Sequence, residues 1–190
     1  MQRRIKAKTA ITLLLLLASL FFLIYTCDRL ATRRRERAVL PLINAAAEEF
    51  DVPRAMILAV IRAESDFKAD ALSRVGAKGL MQLMPDTFAW LCEALDEPHA
   101  ANDITDPETN IRFGSYYLSY LFGKFGSWRV ALAAYNAGEG RVTQWLADPA
   151  LSSNGILRRI PYPETAAYVK KALAYYVDYL EHYPTKEKEP

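Results

Sequence analysis

Histidine and cysteine are nearly missing from this chain of 190 residues, with two of each. His99 and His182 stand alone, without the spacing that metal ligands show, so no metal and no histidine-activated nucleophile is expected, and no cofactor is called for. Cys27 closes an N-terminal apolar run and Cys92 lies in a helical pattern far from it, so a disulfide framework is excluded as an organising feature. Charge of one sign is also lacking: 24 Lys and Arg face 22 Asp and Glu, for a net charge of +2. A nucleic-acid binder would carry a marked basic excess, so none is expected as a partner. No stretch of five or more residues alternates apolar and polar as a half-buried strand does, and neither an internal repeat nor a low-complexity block is present. These absences leave an all-α protein, with room for a small hairpin in one loop.

What is there is apolar and aromatic. Hydrophobic residues make up 52% of the chain, with 11 Tyr and 3 Trp, enough for one domain with a sizeable core and an appendage. Residues 1–9 are basic, and the uncharged run from Ala10 to Thr26 is near the lower limit for a helix crossing roughly 30 Å of hydrocarbon. A transmembrane anchor over 10–27 is the expectation. A cleaved signal peptide and lipid attachment at Cys27 compete with it, but no small-x-small site follows the run, and Ile24-Tyr25-Thr26 lacks the small residues a lipidation site shows. Arg29, Arg33, Arg34, Arg35 and Arg37 make residues 28–37 a basic juxtamembrane linker suited to anionic headgroups. Both flanks are therefore basic, and charge bias alone does not orient the span.

From Ala38 the pattern is globular. Ile43, Ala46, Ala47 and Phe50 form a helical stripe, and Asp51 and Pro53 read as the cap and first turn of the next helix. That helix is expected to be amphipathic, with Ile57, Val60 and Ile61 on the apolar face. Residues 66–79 lose the period and read as loop. Further helices are expected from Pro85, from Asp106-Pro107, from Trp128 and from Pro163, the last turning Val169, Leu173, Tyr176 and Leu180 inward. Residues 96–105 and 147–160 read as connections, and the tail over 183–190 as disordered.

One residue interrupts the pattern. The next position on the face of Ile57, Val60 and Ile61 is Glu64, where a leucine is expected. Burial disfavours the charged form of a carboxyl group and raises its pKa, which is how a glutamic acid keeps its proton near neutrality. The plain alternative is a glutamate at the core's edge, its carboxylate reaching solvent or pairing with Arg62 or Lys68. Ser65-Asp66 end the helix beside a loop. Gly76 and Gly79 let backbone approach closely, and Gln82 and Met84 alternate beyond them, one polar and one soft apolar contact on a possible cleft wall. Asn136 before Gly138 reads equally well as a helix cap, Tyr135 as core, and Glu164 as a favourable acid in a first helix turn.

Glu64-Ser65, Gly79-Leu80-Met81-Gln82-Leu83-Met84-Pro85, Ala134-Tyr135-Asn136-Ala137-Gly138 and Glu164-Thr165 with Tyr168-Val169 occur in one order. With Asp106-Pro107, Asn110-Ile111, Gly114 and Tyr117-Leu118, they resemble the lytic transglycosylases of the soluble Slt type, over about residues 38–182. The resemblance implies a goose-lysozyme-like helical catalytic domain. It also implies cleavage of peptidoglycan glycan strands between N-acetylmuramic acid and N-acetylglucosamine without addition of water, leaving 1,6-anhydro ends. By the same match Glu64 would be acid and then base. Ser73, Gln82, Met84, Tyr117, Tyr135, Asn136, Glu164 and Tyr168 would line the sugar cleft, with Glu164 positioning Tyr135 or the substrate. The sequence departs from the family at Lys68-Ala69-Asp70, where an Asn-Pro pair is common, and at Val75, where alanine is usual. Such a substrate places the domain outside the cytoplasmic membrane, on a single-pass anchor. A hydrolytic muramidase and an inactive wall-binding module are the alternatives.

Overall fold

The computed structural model describes residues 2–98 and 103–183, and side chains from residue 14 onward. His99, the middle of the expected 96–105 connection and the expected disorder of 184–190 lie outside the described residues. Seven helices run in the order α1 (Gln2–Phe50), α2 (Arg54–Glu64), α3 (Pro85–Ala94), α4 (Pro107–Phe125), α5 (Trp128–Ala137), α6 (Glu139–Ala147) and α7 (Pro163–His182). Strands β1 (Ser152–Ser153) and β2 (Ile156–Leu157) form a two-residue antiparallel hairpin before α7. The loop after Glu64 carries only the isolated bridges Leu72 with Lys78 and Lys78 with Leu83, so the one hairpin among the described residues sits in the 147–160 connection instead. The fold is all-α.

Packing divides the chain into two compact units, Met1–Ala38 and Val39–Pro190. The first is helical, and its apolar side chains from Leu14 to Ile24 are exposed. An 18-residue window in this helix has a mean hydropathy of 1.8 and is long and apolar enough to cross a membrane. Two of its hydroxyls fold back onto the helix, Ser19 donating to the Leu16 carbonyl at 2.8 Å and Thr26 to that of Leu23 at 2.9 Å. Such back-bonding satisfies a hydroxyl where no water is at hand. The basic residues after it stay helical, as arginine, glutamate and alanine favour.

In the second unit α2 is the central element. Residues 55–61 and Ala63 are all buried, so α2 is apolar on every side rather than amphipathic. Each such aliphatic side chain contributes about 1.5–3 kcal/mol on burial. Pro53 itself is the N-cap residue. Asp51 has φ of 52° and belongs to the turn between α1 and α2, not to the cap. At α4 the sequence reading of the helix start is matched: Asp106 accepts from the Thr109 N–H at 2.9 Å, and Pro107 occupies the first turn. Packing of α7 against α2 buries Thr165, Tyr168, Val169, Ala172 and Tyr179, while Leu173, Tyr176 and Leu180 are only half-buried. α7 packs on both α2 and α5, and its fully buried row is that of Val169 and Ala172 rather than that of Leu173.

Arg112 on α4 ties three segments together. Its Nε donates to both carboxylate oxygens of Glu49 at 2.9 Å, its Nη2 to Glu49 Oε1 at 2.6 Å, and its Nη1 to Glu97 at 2.6 Å. The fork geometry makes these strong hydrogen bonds, but the pair is a third exposed and solvent weakens it. Arg112→Met is expected to cost about 1 kcal/mol, read as a small fall in thermal midpoint that high salt in the wild type reproduces in part.

Candidate functional site

Glu64 is the last residue of α2. The turn after it is closed by Ser65, whose N–H donates to the Ile61 carbonyl at 3.0 Å. The Ser65 hydroxyl reaches across to the Leu80 carbonyl at 2.7 Å, with Ile61 a second acceptor at 3.1 Å. This single buried side chain staples the end of α2 to the Gly79–Met84 segment. Between them the chain reverses through Asp66 and Phe67, at φ of 51° and 62°, and the Phe67 ring is buried as the loop's anchor.

The Gly79–Met84 segment is held from three helices. From α4, Asn110 is fully buried at 0% exposure. Its Oδ1 accepts from the Met81 N–H at 2.7 Å, and its Nδ2 donates to the carbonyls of Lys78 at 3.0 Å and Ile104 at 2.8 Å. From α5, the Tyr135 hydroxyl donates to the Met81 carbonyl at 2.8 Å. From α2, Ser65 holds Leu80. Two glycines make the fit possible. Gly79 has φ of 78°, and a Cβ there would sit 2.6 Å from Asn110 Cγ; at Gly114 it would sit 2.5 Å from the sulfur of Met81.

Glu64 is half-buried among aromatic hydroxyls. Burial raises its pKa to about 7, against smaller lowering effects of the Tyr168 hydroxyl and the Lys171 ammonium. Tyr168 on α7 and Tyr135 on α5 are pushed well above the usual phenol range, by burial first and then by Glu64. Both stay neutral and remain O–H donors. The Tyr168 hydroxyl is buried beside Glu64 and completes no well-formed hydrogen bond to another protein atom. The Tyr135 ring lies 5.2 Å from that of Tyr117, whose pKa burial pushes up to about 12. Tyr117 in turn meets Trp90 at 6.0 Å and Tyr120 at 6.5 Å, so a row of rings leads from the carboxyl group toward the surface.

The residues singled out in the sequence fall into two groups. Glu64, Tyr135, Tyr168 and Tyr117 gather around one carboxyl group. Met84 is 39% exposed at the N-cap of α3, Asn136 is exposed in the last turn of α5, and Glu164 is exposed in the first turn of α7. Ser73 and Gln82 shape the loop: Ser73 Oγ accepts from the Ala77 N–H at 2.9 Å, and Gln82 donates through Nε2 to the carbonyls of Ala71 and Gly79 at 3.0 and 2.8 Å. Only the amide oxygen of Gln82 is left for anything else. The plain alternative for Glu64 needs correction. Arg62 does not pair with Glu64; it reaches Asp178 at 3.4 Å and lies over the Tyr175 ring at 4.5 Å. Tyr135 is positioned by the Met81 carbonyl, which accepts from its hydroxyl at 2.8 Å.

Sequence reasoning assigned no role to Ser65, Asn110 or Lys171. For Asn110 a signal existed, a polar residue beside Ile111 on an otherwise apolar face. For Lys171 there was none. No group of three or more metal-ligating side chains occurs among the described residues.

Comparison with known proteins places these features in context. The sequence model described as "Transglycosylase SLT domain" matches residues 41–153. The chain is 40% identical over 130 residues to the soluble lytic murein transglycosylase of Escherichia coli K12, a match covering 66% of this chain and 20% of that protein. It is 31% identical over 140 residues to the membrane-bound lytic murein transglycosylase C of Pectobacterium atrosepticum, covering 67% and 39%. Among solved structures, the 70 kDa soluble lytic transglycosylase of Escherichia coli superposes with a TM-score of 0.71 at 31% identity, covering 82% of this chain and 29% of that one. The lytic transglycosylase Slt of Pseudomonas aeruginosa, solved as an inactive glutamate-to-glutamine mutant, gives 0.66 at 40% identity, covering 77% and 24%. The chain thus spans about 20% of the length of the soluble curated relatives it matches.

Proposed function

Since the chain belongs to the transglycosylase SLT domain family, we propose that it is a peptidoglycan lytic transglycosylase with Glu64 as its sole acid and base. The observation that carries this reading is the desolvated carboxyl group at the end of α2, with a pKa of about 7. A group poised there is protonated often enough to give up a proton and basic enough to take one back. The Pseudomonas relative, inactive as a glutamate-to-glutamine mutant, supports a glutamate in that role.

In the proposed reaction Glu64 donates its proton to the glycosidic oxygen as the bond from the muramyl anomeric carbon breaks, and N-acetylglucosamine leaves with a hydroxyl. The substrate's own acetamido group stabilises the positive charge left behind. The Glu64 carboxylate then removes the proton of the muramyl C6 hydroxyl as that oxygen bonds to the anomeric carbon. The ring closes as the 1,6-anhydro form, and Glu64 is protonated again. Glycosidases commonly need two carboxylates; here an internal nucleophile replaces the second, at a large effective concentration. Neutral Tyr168 supplies a donor beside the acid, the Tyr135 hydroxyl being taken by the Met81 carbonyl, and the rings of Tyr117 and Tyr135 offer sugar-stacking surface. Met84, Gln82, Ser73, Asn136 and Glu164 would complete the cleft.

The proposed organisation is a basic flank over 1–9, an anchor over 10–27, a basic linker over 28–37 and the catalytic domain over 38–182. The apolar α1 window and the membrane-bound relative support membrane association, and a wall substrate requires the domain on the extracytoplasmic side. Purified sacculi digested with the full chain in detergent test the reading. Mass spectrometry is expected to find 1,6-anhydro-muramyl ends. Reducing ends would instead identify a hydrolytic muramidase, and binding without release an inactive wall-binding module.

A further inference from the structure

On α7, one residue before the buried Ala172, Lys171 is exposed along its side chain, and its part-buried ammonium donates to the carbonyl of Ala63 at 2.6 Å. Ala63 is in the last turn of α2, where carbonyls lack intrahelical partners and the helix dipole is negative. Ser65 takes the Ile61 carbonyl in the same turn. Lys171 therefore closes the end of the helix at the residue preceding Glu64, and brings the packed α7 in register with it. Resting on the role proposed for Glu64, we propose that Lys171 is a positioning residue for that acid: its ammonium clamps the last turn of α2 and sets a positive charge beside the carboxyl group.

The surroundings isolate this charge. From α7, Tyr168 and Lys171 face Glu64; from α5, Tyr135 does; from α4, Tyr117 reaches it through Tyr135. The three tyrosines are neutral. On α2 itself, the Arg62 guanidinium is engaged by Asp178 and by the rings of Tyr175 and Tyr179. The loop after α2 carries Asp66 and Lys68 past the helix end, and the charge that acts on Glu64 is that of Lys171. A nearby cation favours the carboxylate. It opposes both burial and the negative helix end, which favour the acid form. Without the cation, Glu64 would hold its proton to higher pH, making a better-populated acid and a carboxylate slower to form for the second step.

The test uses the full chain in detergent micelles with Lys171→Met, Lys171→Gln and Lys171→Arg. Methionine removes charge and donor, glutamine removes charge and keeps a donor, and arginine keeps both. Two readouts are taken for each: the protonation midpoint of Glu64 from infrared difference spectra against Glu64→Gln, and the alkaline limb of product release from sacculi. Met and Gln are expected to raise both by about half a pH unit or more, less than the roughly one to three units of a close buried charge because Lys171 is exposed to solvent, while Arg leaves both near the wild type. A midpoint in Met that stays with the wild type, with rate lost equally at every pH, overturns the proposal and makes Lys171 merely structural. A midpoint that rises while the alkaline limb stays put upholds the clamp and instead removes Glu64 as the group that limits the reaction.

Discussion

Glu64→Gln is expected to lower product release by about 10³-fold or more and, at the same time, to make the protein more stable above pH 7. Glutamine fills the same space and cannot donate or accept the travelling proton, so the loss reports chemistry rather than collapse of the cleft. The gain in stability comes from the same burial that suits Glu64 to its role. An unfolded glutamate titrates near 4.5, the folded one near 7. A carboxyl group with a raised folded pKa stabilises the fold while protonated, fully so below pH 4.5. That contribution is lost as pH rises through 7 and the carboxylate has to be kept out of water. The difference of roughly two and a half units corresponds to about 3 kcal/mol at pH 8. Thermal unfolding of wild type and variant at pH 4 and pH 8 checks it: near-equal midpoints at pH 4, and a variant several degrees higher at pH 8. An advantage for the variant that is the same at both pH values would show that Glu64 is solvated and ordinary.

The second large effect is expected at Asn110. Asn110→Ala removes one acceptor and two donors from a site with no water-facing surface. It strands the Met81 N–H and the Ile104 carbonyl, while the Lys78 carbonyl keeps the Leu83 N–H at 3.0 Å. An unsatisfied buried polar group costs about 1–3 kcal/mol, so a total of about 3 kcal/mol or more follows. Because Met81 also accepts from Tyr135, the loss reaches the wall beside Glu64, and activity is expected to fall with stability. Asn110→Asp restores the acceptor but adds a buried charge and gives back no donor, so it should not rescue. Urea unfolding of wild type and both variants measures this. A cost below 1 kcal/mol for Asn110→Ala would mean that Gly79–Met84 is held by its own turn and by Ser65 alone.

Much of this architecture is readable from residue order because helix starts and stops are local. Asp106-Pro107, Pro163 and Gly126 act within one turn of their own position, and each marks a helix end in the structure. The faces are less legible. α2 reads as amphipathic because Arg54, Arg62 and Glu64 break its apolar run, but those three sit at its ends and the body between is wrapped on all sides. α7 carries bulky residues on two adjacent rows, and which row is buried depends on its packing against α2 and α5, which lie far from it in sequence. At the site, Glu64 stands out because a carboxyl group replaces a leucine. Ser65, Asn110 and Lys171 act through backbone carbonyls and N–H groups 15, 29 and 108 positions away. Nothing local encodes such partners. Gln82 differs, since its side chain closes back on the backbone of its own loop at Ala71 and Gly79.

The central claim is that one buried carboxyl group carries its proton at neutral pH. The most direct measurement is the titration of Glu64 itself in the intact protein, followed as the protonated carboxyl stretch in infrared difference spectra between wild type and Glu64→Gln. The account predicts that this band is lost with a midpoint near pH 7, and that product release falls over the same range. A midpoint near 4.5, with release unchanged through neutrality, would contradict it.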